Sequence, residues 1–100
     1  MDDAAALRRL RMRAWRRGTR EMDLILGPFA DAQLAELSEA DLALFDRLLA
    51  ENDHDLYQWV TARLAHDDDA TAPRGPGDYA GLLDRIAAHA GDRLRQQSAG

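Results

Sequence analysis

Apolar residues recur three or four apart along this chain and nowhere alternate with period two, so the pattern predicts helices and no strands. Five segments carry such a stripe. The first, residues 4 to 16, aligns Leu7, Leu10 and Ala14, with Met12 and Trp15 beside them, and Gly18 supplies a stop. The second begins near Thr19 and aligns Met22, Ile25, Leu26 and Phe29. Pro28 has no N–H and crowds the carbonyl of Leu24, so this helix is expected to kink or end there, with helical structure resuming or continuing toward Leu34 and Leu37.

The third segment has the clearest start. Ser38 followed by Asp41 resembles a capping box, and Leu42, Phe45, Leu48 and Leu49 form the face behind it. The fourth follows Asp53, read as its N-cap, and aligns Leu56, Val60 and Leu64 with Tyr57 and Trp59 on the flanks. Residues 66–77, HDDDATAPRGPG, read as an acidic Pro/Gly linker. The fifth stripe follows Asp78 with Tyr79, Leu82, Leu83, Ile86 and Ala90, and residues 96–100 are expected to fray. The expectation is a single all-α domain over residues 1–100, a small bundle of about five helices, which suits a chain of this length.

Charge changes this picture. Residues 1–20 hold seven arginines against Asp2 and Asp3, a net +5; residues 21–100 hold six arginines against sixteen acids, a net −10. Every basic residue is arginine, whose planar fork suits carboxylates better than a lysine point charge does. The cluster Arg8, Arg9, Arg11, Arg13, Arg16, Arg17 and Arg20, with Trp15 among them, has the look of a phosphate-binding patch, as in a nucleic-acid-binding or antitoxin-like regulatory module. Against this, the acidic remainder would repel a polyanion. The chain has no cysteine, no apolar run near the ~20 residues of a membrane span, and no visible secretory signal, which points to a cytoplasmic protein without membrane insertion.

Candidate chemistry is sparse. His54, His66 and His89 lie far apart, and none has a partner at helical ligand spacing; His66 beside Asp67, Asp68 and Asp69 reads as a solvated acidic stretch rather than a metal site. Ser38 is committed to capping and Ser98 lies near the chain's end, so no activated nucleophile is in view. Gly75-Pro76-Gly77 lacks the lysine and strand of a phosphate loop. Phe45, Tyr57 and Trp59 can be read as a set of rings that stack on a planar ligand, but their helical spacing favours core. The chain is expected to be neither an enzyme nor a holder of a metal or a cofactor of its own.

The stretch RRGTREMD, residues 16 to 23, joins the first two helices. A glycine there turns the chain and lets another backbone approach, and Arg17 and Glu21 put opposite charges on either side of it. Arg17-Gly18-Thr19-Arg20-Glu21, then Met22-Asp23-Leu24 and Pro28-Phe29, resembles the Arg-Gly-x-x-Glu signature of the FAD assembly factors of succinate dehydrogenase. Leu37-Ser38, Asp41 and Asp55-Leu56-Tyr57-Gln58-Trp59 extend the resemblance over residues 7 to 64, whereas the 66–77 linker looks longer and more acidic than in that family. The resemblance implies a helical-bundle assembly factor, or chaperone, that binds the flavoprotein subunit of succinate dehydrogenase, and by extension of fumarate reductase, and promotes covalent attachment of FAD to that client. It implies that Arg17, Gly18 and Glu21 are the partner-binding motif, with Asp23 extending it; charge adds Arg8, Arg11 and Arg13. FAD would belong to the client, and the factor would be a monomer before binding.

Overall fold

The computed structural model describes residues 3–64 and 73–99. Helix α1 (Asp3–Trp15) leads through a corner into α2 (Arg20–Gln33), which a 3₁₀ turn (Leu34–Glu36) connects to α3 (Glu39–Leu48). Helix α4 (Asp53–Leu64) follows, and a second 3₁₀ turn (Gly77–Tyr79) opens α5 (Ala80–Ala99). Among the described residues there is no strand, as the periodicity predicts. Residues 65–72 lie outside the description, and with them His66, Asp67, Asp68, Asp69 and most of the expected linker. The side chain of Ser98 and the last residue, Gly100, also lie outside it, and the α5 backbone runs to Ala99.

The predicted stripes meet in one core. Met22, Leu26 and Phe29 of α2, Phe45 and Leu48 of α3, Leu56 and Val60 of α4, and Leu83 and Ile86 of α5 are fully buried. The rings of Phe29 and Phe45 sit 5.9 Å apart. Helix α2 is the central rod: α1 lies along it on one side, α5 and α4 pack on others. Ser38 caps α3 as expected, its hydroxyl accepting from the Asp41 N–H at 3.1 Å.

One open alternative is decided and two expectations are corrected. Helix α2 does not end at Pro28 but continues to Gln33, the continuation that Leu34 and Leu37 suggest. A proline inside a helix costs about 3 kcal/mol. Fully burying Met22, Leu26 and Phe29, which lie on both sides of or next to the proline, returns about 1.5–3 kcal/mol each, so packing outweighs the local cost. Asp53 is not the cap of α4. The Asn52 side chain accepts from the His54 N–H at 2.7 Å, and Asp53 stands inside the first turn with its carboxylate free to point elsewhere. Finally, the aromatic set splits. Phe45 is core, Trp59 is half-buried with its ring 6.4 Å from that of Tyr79, and Tyr57 is exposed. Tyr79 itself is buried, and desolvation, aided by the charge of nearby Glu51, raises its phenol above the ordinary value.

Close approach of α1 to α2 depends on Gly27. The Trp15 ring lies on the bare backbone there, so that a Cβ at residue 27 would overlap the indole, and its Nε1–H donates to Asp31 at 3.2 Å. Gly27→Ala gains helix propensity of at most about 1 kcal/mol, but overpacking costs about 1–3 kcal/mol. The expected result is a net stability loss of up to about 2 kcal/mol with Trp15 displaced outward. Urea denaturation, with tryptophan emission read in a Trp59→Phe background, checks both; unchanged emission and stability would show the indole does not need that seat.

Candidate functional site

The corner between α1 and α2 is built around two backbone facts. Gly18 has a φ of 101°, in the region that side chains enter only with strain, and space around its α-carbon is open. This turn breaks the helix, so Arg17 and Glu21 do not meet as an i, i+4 pair. They point to different places.

Arg17 points inward. Its Nε donates to the Asp53 carboxylate at 2.7 Å, one terminal nitrogen donates to the Glu51 carbonyl at 2.7 Å, and the other to the Leu49 carbonyl. The Arg17 and Asp53 side chains are 10% and 16% exposed, so the pair is nearly buried. Two of these acceptors are carbonyls that follow the end of α3, where a cation also meets the negative end of the helix dipole. One guanidinium thereby ties the α1–α2 corner to the α3–α4 junction. Asp23 closes the corner from the other side, its carboxylate accepting from the Arg17 backbone N–H at 2.7 Å. The Thr19 hydroxyl adds a longer contact to Asp53 at 3.4 Å.

Glu21 points outward. It is exposed in the first turn of α2, where the helix dipole favours its charge, and it makes no hydrogen bond or ion pair among the described residues. Two shallow grooves share it. One, of about 290 Å³, is lined by Thr19, Glu21, Asp53, His54 and Tyr57. The other, of about 280 Å³, runs between α2, α4 and α5 past Leu24, Tyr57, Thr61 and Leu64. Leu24 is 50% exposed and Tyr57 42%, so a free carboxylate lines one groove with two uncovered apolar side chains. An exposed aromatic side chain such as Tyr57 is the kind of anchor that interfaces favour.

Sequence reasoning had Gly18 and Glu21 on this surface but not Leu24, Tyr57 or His54. A signal existed for the first two: both are large apolar residues off the buried stripe of an amphipathic helix. The remaining expected residues separate. Arg11 bridges to Asp31 of α2 at 3.4 Å, and Arg13 pairs with Asp46 of α3, whereas Arg8 is exposed and meets no acid among the described residues. Trp15, Arg11 and Asp31 thus form one cluster, and Arg11, Arg13 and Arg17 stake α1 and its corner to α2, α3 and α4 in turn.

Comparison with known proteins gives a consistent result. A family model described as the flavinator of succinate dehydrogenase matches residues 8–90. The chain is 35% identical to the FAD assembly factor SdhE of Aliivibrio fischeri over 82 residues, covering 82% of this chain and 86% of the relative. It is 42% identical to the FAD assembly factor SdhE of Idiomarina loihiensis over 65 residues, 65% of this chain and 71% of that one. It is also 43% identical over 61 residues, 60% of this chain, to the mitochondrial succinate dehydrogenase assembly factor 2 of Aspergillus terreus, of whose length the match spans only 21%. No solved structure matches the chain. The nucleic-acid or antitoxin alternative finds no support in these similarities.

Proposed function

The chain belongs to the family of flavinators of succinate dehydrogenase, and from that premise we propose that it is an assembly factor that docks on the flavoprotein subunit of that enzyme and promotes covalent attachment of its FAD. The observation that carries the reading is Glu21: an unpartnered exposed carboxylate lining one groove with Leu24 and Tyr57, on a corner that Arg17 and Asp23 fix from inside. Such a corner is stiff before it meets a partner, which lowers the ordering cost of binding.

The mechanism is one of positioning. Covalent flavinylation joins the flavin to a client histidine, and it needs both held at reacting distance. Fixing two reactants in a near-attack geometry is worth about 7–11 kcal/mol in the best cases. The factor supplies this by stabilising one conformation of the client; the reacting groups are the client's and the factor is not itself the catalyst. FAD is the client's as well. Fumarate reductase, which carries out related chemistry, is a second client on the same reading, and the free factor is a cytoplasmic monomer. Among the described residues no helix is long and apolar enough to cross a membrane.

The test uses purified flavoprotein subunit lacking covalent flavin, incubated with FAD with and without this chain. The expected result is in-gel flavin fluorescence on the denatured subunit that grows faster in the presence of the factor. Equal rates in the two arms would remove the reading.

A further inference from the structure

The seven arginines of residues 1–20 divide into two sets. Arg11, Arg13 and Arg17 face acids of α2, α3 and α4. Arg8, Arg9, Arg16 and Arg20 are exposed and pair with no acid among the described residues. Arg9 and Arg16 are two helical turns apart, and with Met12, Arg13 and Arg17 they line an open groove of about 440 Å³. Met12 is 45% exposed in the middle of it. Two uncompensated guanidinium groups, Arg9 and Arg16, lining one groove with an uncovered thioether is an arrangement that folding does not require, since neither contributes to the core.

We propose that this outer face of α1 is a second docking surface, separate from the Glu21 corner, that takes an acidic polypeptide segment of the flavoprotein client. The proposal rests on the assembly-factor reading. Charge complementarity and the apolar centre choose the occupant. Arginine forks bind carboxylates in pairs, and Met12 offers an adaptable contact to an aliphatic or aromatic side chain between them. A nucleic acid fits less well, because residues 21–100 carry −10 and would repel an extended polyanion, whereas a short acidic segment feels only charges within a screening length of about 8–10 Å. Electrostatic attraction of this kind acts on the association rate more than on the final affinity.

The experiment is stopped-flow association with the purified flavoprotein subunit between about 50 and 300 mM salt. Arg9→Gln/Arg16→Gln is expected to associate about tenfold more slowly at low salt and to lose most of the wild-type salt dependence. Arg74→Gln removes one exposed arginine charge from the segment before α5 and serves as control; it is expected to leave both unchanged. Glu21→Ala is expected to keep the fast, salt-dependent encounter while losing flavinylation. Wild-type rates in the double variant, or an equal slowing in Arg74→Gln, would overturn the proposal. So would loss of the salt-dependent encounter in Glu21→Ala, which would make the two surfaces one. Tighter binding of the wild type to a short DNA duplex than to the subunit would assign the face to phosphates, and a low-salt dimer abolished by the double variant would assign it to a second copy; either also overturns it. A wild type that never binds the subunit removes the assembly-factor reading together with this one, whereas the other outcomes leave that reading standing.

Discussion

Arg17→Ala is expected to destabilise this chain by about 3–5 kcal/mol, the cost of removing one partner from a nearly buried ion pair. The loss is large because three acceptors are stranded at once: the Asp53 carboxylate and the carbonyls of Leu49 and Glu51. Domains are stable by only about 5–15 kcal/mol, so a large share of the total is at risk. Thermal denaturation followed by circular dichroism is expected to show a midpoint lower by more than about 12 °C, at roughly 4–8 °C per kcal/mol for a domain of this size. Arg17→Lys keeps the charge, but an ammonium cannot reproduce a planar fork aimed at a carboxylate and two carbonyls, so it is expected to recover less than half of the loss. A midpoint within about 2 °C of wild type for Arg17→Ala would show that the corner is held by other means. Family resemblance alone places Arg17 in a partner-binding motif; on the geometry it serves the partner by holding the corner in shape.

Glu21→Ala is expected to behave in the opposite way. Nothing among the described residues depends on that carboxylate, so the only stability term is its interaction with the α2 dipole, about 0.3–1 kcal/mol. Function is where the effect falls. Truncating one partner of an interfacial charge pair costs about 2–5 kcal/mol, which is about 30-fold or more in affinity for the flavoprotein subunit. The measurements are co-purification with that subunit and covalent flavin on it, with Glu21→Gln as the variant that keeps shape and loses charge. Wild-type flavinylation by both variants would detach the function from this corner. The two substitutions lie four residues apart across Gly18 and are expected to separate stability from function almost completely, because the left-handed turn sends one side chain into the bundle and the other out of it.

Much of this protein is legible without coordinates. The stripes of α1 to α5 are each set by the 3.6-residue turn within a single helix, and most of their residues are buried, from Met22 and Phe29 to Leu83 and Ile86, while Leu7, Leu10, Ile25, Leu42 and Leu64 pack partly buried at the core's edge. The Ser38 cap and the Gly18 stop are local as well, since each needs only the next few residues. Pro28 shows where local reasoning ends. Its cost is local, but the burial that offsets it comes from α1, α4 and α5, and no window around residue 28 contains them.

What the sequence alone determined is therefore the number and faces of the helices, the corner at Gly18 and the lopsided charge, all of them consequences of spacing and composition over a few turns. What only the tertiary structure decided is which charges are used up. Asp53 had the residue type of a cap and Arg17 that of a contact residue, yet Asn52 took the cap and left Asp53 to Arg17, 36 positions away. Arg11 and Arg13 found Asp31 and Asp46 in the same way, leaving Glu21 and four other arginines facing outward. The reason is physical: an amphipathic pattern specifies that a face is buried, but the partner of a side chain depends on how whole helices cross, and that is settled by the packing of the core as a unit.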